Sequence, residues 1–167
     1  MSDDEIPTLV TQDMENLKGV WGEERISYPI SISDIRKWAI ASYWPEKPPR
    51  IFWDEEYAMT TKWKGIIAPT DFNPFAWPID RPPQAPGPPR AEGGNREPGT
   101  RGMNGGQVET FGVVMRPGDV ITSRNRLKGW NERETRLGLT LFSETEIEWR
   151  NQNSEHVKTR ISTSIRY

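Results

Sequence analysis

From residue 137 the chain alternates apolar and polar side chains with a period of two almost to its end. The stretch "TRLGLTLFSETEIEWR" sets Leu137, Leu139, Leu141, Ser143, Thr145, Ile147 and Trp149 on one side, and Glu144, Glu146 and Glu148 on the other. After "NQNSE", the stretch "HVKTRISTSIRY" sets Val157, Thr159, Ile161, Thr163, Ile165 and Tyr167 against Lys158, Arg160, Ser162, Ser164 and Arg166. Successive side chains of a strand point to opposite faces, so this pattern demands long antiparallel strands with one face buried and one wet. Glutamates on one wet strand beside lysines and arginines on the next would pair across strands. Upstream, "GGQVETFGVVM", the turn "RPGD", "VITSRNRLKGW" and the turn "NERE" complete a meander.

The N-terminal half reads as helices and loops. Thr11 is placed to cap a short helix in "TQDMENLKGVWG", with Leu17, Val20 and Trp21 as its apolar contacts and Gly19 or Gly22 as its stop. "RISYPIS" reads as a first strand with Ile26, Tyr28 and Ile30 on one side, and Pro29 suits an edge. In "SISDIRKWAIASYW", Ser31 with Asp34, or Ser33, starts a helix that carries Ile35, Trp38, Ala39 and Ser42 on one face. Small residues around one indole suggest burial against a sheet over much of the helix's girth. Pro45, Pro48 and Pro49 stop it, and Asp54 caps a second short helix in "DEEYAMTTKW". Residues 78–106 carry Pro-Pro and Gly-Gly pairs with little to bury and read as a long loop or arm, suited to wrapping a partner subunit.

At 167 residues the chain is sized for one domain, taken here as 1–167. Lys+Arg 22 against Asp+Glu 24 gives a net charge of −2 without a basic run, so nucleic acid and anionic membranes are not expected partners. With no cysteine and His156 as the single histidine, disulfides, thiolate chemistry and two-histidine zinc sites are excluded, and no metal is expected. The acidic start "MSDDEIPTLV" is not a signal peptide, and the expectation is a cytoplasmic protein. The Glu144, Glu146 and Glu148 comb reads as a salt-bridged sheet face and His156 as a surface turn residue. Trp38, Trp44, Trp53 and Trp63 read as core and lid packing. The Gly-Gly pairs at 93–94 and 105–106 read as loop hinges.

A helix after a first strand, followed by long antiparallel strands, makes an α+β hotdog: a curved antiparallel sheet wrapped around a central helix. The segments "ISDIRKWAIAS", "FWDEEYAMTTKWKGIIAP", "MRPGDVITS" and the closing strands resemble the MaoC-like hotdog hydratases and dehydratases, most of all their N-terminal dehydratase-like half. The resemblance implies hydration of a trans-2-enoyl-CoA to an (R)-3-hydroxyacyl-CoA, or the reverse, with a CoA thioester as substrate or ligand and no other cofactor. Active members carry a G-D-x-N-P-x-H loop whose Asp and His activate one water, and a backbone N–H at the start of the following helix binds the thioester oxygen. Two hotdogs pair side by side, with the acyl chain at or near their interface.

Anchored on "DEEYA", the resemblance places Lys47 at the Asp position, Phe52 at the His position, Pro49 at the Asn position and Arg50 at the Pro position. Pro69 and Thr70 stand where the oxyanion segment is usually His-Gly. Lys47 and Phe52 cannot do acid-base work, which leaves Glu46 and Asp71 as substitute carboxylates. Thr70, Phe52, Trp53 and Pro69 are the substrate-binding candidates. Three readings stay open at this point: a non-catalytic hotdog subunit that shapes the acyl-CoA pocket beside a catalytic partner; a stand-alone homodimeric binding module for CoA thioesters or apolar ligands; and an autonomous lyase using Glu46 or Asp71. A homo-oligomer, or a hetero-oligomer with a catalytic hotdog subunit, is expected because the sheet edge and arm need covering.

Overall fold

In the computed structural model, which describes residues 7–78 and 98–167, side-chain caps start each helix. Thr11 accepts from the Met14 N–H and opens α1 (Gln12–Leu17), and Ser31 accepts from the Asp34 N–H at 3.0 Å and opens α2 (Ile32–Tyr43). After a 3-10 turn at Arg50–Phe52, Asp54 accepts from the Tyr57 N–H at 3.0 Å and opens α3 (Glu55–Thr60). Each cap satisfies one N–H that the first helical turn leaves unpaired. The burial expected around much of α2 is not found. Only Ile35 and Ala39, one turn apart, are buried, whereas Ile40 and Trp44 are 52% and 79% exposed. Trp44 follows the last residue of α2 and packs in no core, unlike Trp38 and Trp63, which pack against the core, while Trp53 is half-buried in the loop after α2. In α1 no residue is buried. Leu17 and Val20 are exposed, and Trp21 instead lies beneath the guanidinium groups of Arg124 and Arg126, each 4.3 Å from its ring centre.

One five-stranded antiparallel sheet runs in the order β1-β3-β4-β5-β2. Its members are β1 (Arg25–Ile26), β2 (Gly102–Phe111), β3 (Thr122–Thr135), β4 (Gly138–Arg150) and β5 (His156–Arg166). The first strand is shorter than its apolar spacing suggests. It pairs only with Ser123 and Thr122, Ile26 and Tyr28 stay exposed, and Ile30 reaches the core as its N–H bonds the Asp119 carbonyl at 2.9 Å. "NERE" is not a turn, because β3 continues through it and the hairpin closes between Thr135 and Gly138. Of the loop expected over 78–106, residues 79–97, including the 93–94 glycine pair, lie outside the described residues. Residues 102–106 already belong to β2, and the 105–106 glycines sit at its register shift.

The consequential difference is the parity of β5. Lys158 stands opposite Trp149 and Arg160 opposite Ile147, whereas Ile161 stands opposite Glu146 and Ile165 opposite Phe142. Directly paired residues share a face. The basic residues of β5 therefore share the face of Trp149 and Ile147, which the helical layer packs against, and the expected assignment of wet and buried faces is inverted for this strand. Val157, at the register shift beside Trp149 and Arg150, still reaches the core. That core joins Ile35, Ala39, Phe52, Ala58 and Phe72 from the helical side to Ile121, Trp149 and Val157 from the sheet side. The result is the expected α+β hotdog, a long antiparallel sheet with its helical layer on one face.

Candidate functional site

The loop after α2 is held by packing. Phe52 is only 9% exposed, belongs to the core and tilts against Tyr43 with ring centres 6.0 Å apart. Lys47 lies over the ring of Trp53 with Nζ 4.7 Å from its centre, and the Trp53 indole N–H donates to the Pro48 carbonyl at 2.9 Å. Arg50 bonds Asp54 through Nη2 at 2.7 Å. Together with the Tyr57 N–H, which contributes most, Arg50 holds the Asp54 carboxyl below its ordinary range. Glu46 is exposed in the turn that ends α2, where its N–H bonds the Tyr43 carbonyl.

The other candidates lie on the segment that crosses from α3 to the sheet. The Ala68 N–H donates to the Met115 carbonyl at 2.9 Å, and the Phe72 N–H closes a turn onto the Pro69 carbonyl at 3.0 Å. No helix begins at this turn, so neither the backbone N–H of Thr70 nor the carboxylate of Asp71 stands at a helix start. Its Oδ2 accepts from Ser42 Oγ at 3.1 Å and ties the turn to the end of α2. Pro69 and Thr70 line a cleft of about 40 Å³ with Phe111, Val113, Met115 and Lys158. Glu46, Lys47, Phe52, Trp53 and Asp71 are not among its lining residues. A larger hollow of about 400 Å³ opens between Tyr28, Lys37, Phe72 and Trp77 and includes none of the sequence candidates.

Lys158 is the residue that sequence reasoning missed. It is 3% exposed, and its Nζ stands 4.2 Å from the ring centre of Trp149 and 5.9 Å from that of Phe111. Glu109 Oε1 stands 3.6 Å from it, while the same oxygen takes a 2.6 Å bond from Arg160 Nε. Burial pushes the Lys158 ammonium below the usual lysine range. Glu109 pulls it back up, Arg160 pushes it further down, and Asp71 contributes a small upward pull. No signal in the sequence marked Lys158: only the β2–β5 register, which sets Glu109 opposite Arg160 and Phe111 opposite Lys158, brings this environment together.

The acidic comb is a salt-bridged face, paired with β3 alone among its neighbouring strands. Glu148 bonds Arg124 and Arg150, each at 2.8 Å, Glu146 bonds Arg126 at 2.6 Å, and Glu144 bonds Lys128 at 3.2 Å. The hydrogen bonds from Arg150, then Arg124, hold the Glu148 carboxyl below its usual range against the opposing effect of burial. His156 is half-buried at the start of β5, more enclosed than a surface turn residue, with Nε2 2.8 Å from Thr159 Oγ1. Among the described residues no cluster of three or more His, Cys, Asp or Glu is arranged to hold a metal, and no helix is long and apolar enough to cross a membrane.

The backbone path is similar to several solved hotdogs. The chain superposes on the ChsH1-ChsH2 complex of Mycobacterium tuberculosis with a TM-score of 0.68, 16% identity, and coverage of 92% of this chain and 88% of that one. For the truncated HadBC (3R-hydroxyacyl-ACP dehydratase) complex of the same organism the TM-score is 0.57 at 16% identity, covering 89% and 96%. For the MaoC-like dehydratase of Rhodospirillum rubrum it is 0.57 at 15% identity, covering 87% and 91%. At such identities the likeness speaks for the fold. No curated protein matches the sequence. The sequence model of the FAS1-like dehydratase domain region matches residues 16–160, most of the chain, and this protein belongs to that family of MaoC-like hotdogs.

Proposed function

We propose that this chain is a hotdog subunit of an acyl-thioester hydratase or dehydratase, one that shapes the thioester pocket while a second hotdog supplies the Asp and His. The observation that carries this reading is the state of the loop after α2. At the two positions where the resemblance puts the water-activating pair, Phe52 is a core residue and Lys47 is laid over Trp53. Neither can take a proton from water and return one to C2. The cleft beside Pro69 and Thr70, about 40 Å³, holds one functional group rather than an acyl chain, so at this place the chain supports the reading of one wall of a pocket.

Uncovered apolar residues support a partner. Met103, Val108 and Phe111 of the edge strand β2 are 43%, 67% and 49% exposed, and Ile40 and Trp44, on α2 and at its end, are 52% and 79% exposed. Among the described residues no strand pairs with the outer edge of β2, and an edge of this length invites a second sheet. ChsH1-ChsH2 and HadBC are complexes, which agrees with this arrangement. The substrate class is an enoyl- or 3-hydroxyacyl-thioester, with CoA or a carrier protein as the thiol.

The test is co-expression with a hotdog encoded beside it that bears the G-D-x-N-P-x-H loop. A stable complex that hydrates crotonyl-CoA, with neither chain active alone, is the expected result. Failure to form a complex, or full activity of the lone chain, ends the proposal. A second reading, a homodimeric module that binds thioesters without turnover, is favoured by the buried ammonium in the cleft. Thermal stabilisation of the lone chain by crotonyl-CoA, undiminished when every candidate partner is absent and never accompanied by hydration, would select it. The autonomous lyase is the least supported of the three, since Glu46 is exposed and Asp71 is engaged by Ser42.

A further inference from the structure

Lys158 is a buried cation with hydrogen-bonding capacity to spare, Glu109 being its one long ionic partner. An ammonium has three N–H donors, and the nearest carboxylate oxygen, Glu109 Oε1, is at 3.6 Å, beyond hydrogen-bond length. That oxygen already takes the 2.6 Å bond from Arg160. Trp149 and Phe111 fix the ammonium from the side but supply no oxygen. The residue is 3% exposed and lines the cleft together with Thr70.

We propose that Lys158 is a thioester-binding residue of this chain: its ammonium hydrogen-bonds the carbonyl oxygen of the bound thioester, with Thr70 on the same cleft and Phe111, Val113 and Met115 against the neighbouring carbons. The inference rests on the acyl-thioester reading above. The ligand's chemistry follows from the charges facing Lys158. Glu109 on β2 and Asp71 in the turn are acidic, Arg160 on β5 is basic, and with Lys158 itself the group is neutral. Two carboxylates beside the ammonium disfavour a ligand that arrives fully anionic. A neutral carbonyl meets no such repulsion, and its oxygen becomes negative only as the reaction proceeds.

In hydration, water oxygen bonds to C3, the C2–C3 π pair shifts toward C1, and the carbonyl π pair moves onto oxygen. One proton leaves the water and one is delivered to C2, so the reaction is balanced by water alone. The partner's acid-base pair moves those protons. Lys158 keeps its own and stabilises the charge on oxygen, as a preorganised donor in a water-poor site does.

The probe is 2,4-hexadienoyl-CoA, whose absorption moves to longer wavelength when its carbonyl is polarised. It is applied to the lone chain and to the complex, with wild type, Lys158→Met and Lys158→Arg. Wild type should bind the probe with a red shift that Lys158→Met abolishes and Lys158→Arg partly restores. In the complex, Lys158→Met should lower kcat for crotonyl-CoA by about a hundredfold with KM little changed, the scale of losing one oxyanion donor. Binding by Lys158→Met with an undiminished red shift overturns the role of Lys158 and leaves the thioester reading standing. If wild type binds no probe, alone or in the complex, the thioester reading itself fails and this inference falls with it.

Discussion

A double-mutant cycle on Lys158 and Glu109 measures how the fold tolerates a charge in this position. The side chain of Lys158 is 4% exposed and that of Glu109 20%, so both are largely removed from water. At 3.6 Å their attraction is about 4–5 kcal/mol for an effective dielectric of about 20. Desolvation costs several kcal/mol per ion, so the two contributions nearly cancel. Lys158→Met keeps the volume and removes the charge, and should leave stability unchanged or raise it by about 1–4 kcal/mol. Glu109→Gln in the wild-type background strands the ammonium and should cost about 3–5 kcal/mol, limited by the lysine's option of shedding its proton. With Met at 158, the same change removes only the half-exposed pair with Arg160, at about 1 kcal/mol or less. The coupling energy is therefore about 2–4 kcal/mol, measured by urea denaturation of the four proteins near neutral pH. Coupling below about 0.5 kcal/mol would refute the reasoning, because the two charges would then not sense each other. The pH dependence supplies an independent check. The folded-state pKa of Lys158 is lowered from 10.5, so below that lowered value both states hold the proton and the penalty is complete. As pH rises from there toward 10.5, the unfolded chain holds a proton that the folded chain has released, and stability rises. Lys158→Met should flatten that alkaline rise.

Two further substitutions test the frame around the cleft. A Cβ at Gly112 would overlap the carbonyl oxygen of His156 and stand 2.6 Å from its Nδ1, so Gly112→Ala must push apart the pairing of this segment with β5. Destabilisation of about 1–3 kcal/mol or more is expected in urea melts, and an unchanged midpoint would show that the two segments are not held this closely. Glu148 has a folded-state pKa lowered from 4.5, so its stabilisation is complete above 4.5 and is lost as pH falls through the lowered value. Glu148→Gln should cost stability near neutral pH and lessen the decline on acidification, read as the midpoint of urea unfolding against pH.

Local signals in the sequence were reliable where they act through neighbouring residues. Thr11, Ser31 and Asp54 each cap the helix that follows, because a short oxygen side chain before an amphipathic run has one use for its oxygen. The turn "RPGD" closes with Asp119 accepting the Arg116 N–H at 2.7 Å, and Gly118 takes the positive φ this requires. The long strands were legible for the same reason; the glutamates Glu144, Glu146 and Glu148 do form cross-strand ion pairs, but with β3 and not with the lysine and arginines of the strand that follows them. The extent of burial was not. Ile40 and Trp44 have the composition of core residues and stay exposed, because what they would pack against is not supplied by the described part of this chain. "NERE" lacks a hydrophobic pattern, yet Asn131–Glu134 pair with Phe142–Leu139 because β3 and β4 zip outward from a turn several residues later.

Lys158 shows why the site was harder to read than the fold. Alternation in β5 divides the strand into two faces but does not say which of them the helices will cover. The sequence pattern favours covering Val157, Ile161 and Ile165; pairing with β4 and β2 places Lys158 and Arg160 on that side instead. On hydrophobicity alone this is the worse arrangement, since it puts an ammonium where a methionine would fit. Two features make it tolerable: Glu109, brought over both cations by the β2 register, and the rings of Trp149 and Phe111. Neither would be needed by a chain selected only to fold. A stability cost concentrated at one side chain beside the Pro69–Thr70 cleft is the pattern expected where function constrains the choice of residue. The loop after α2 shows the converse, since Phe52 and Lys47 are spent on packing at the positions where the resemblance puts catalytic groups. Chemistry contributed by this chain would therefore lie on the sheet at Lys158, and not in the loop where the resemblance directs attention.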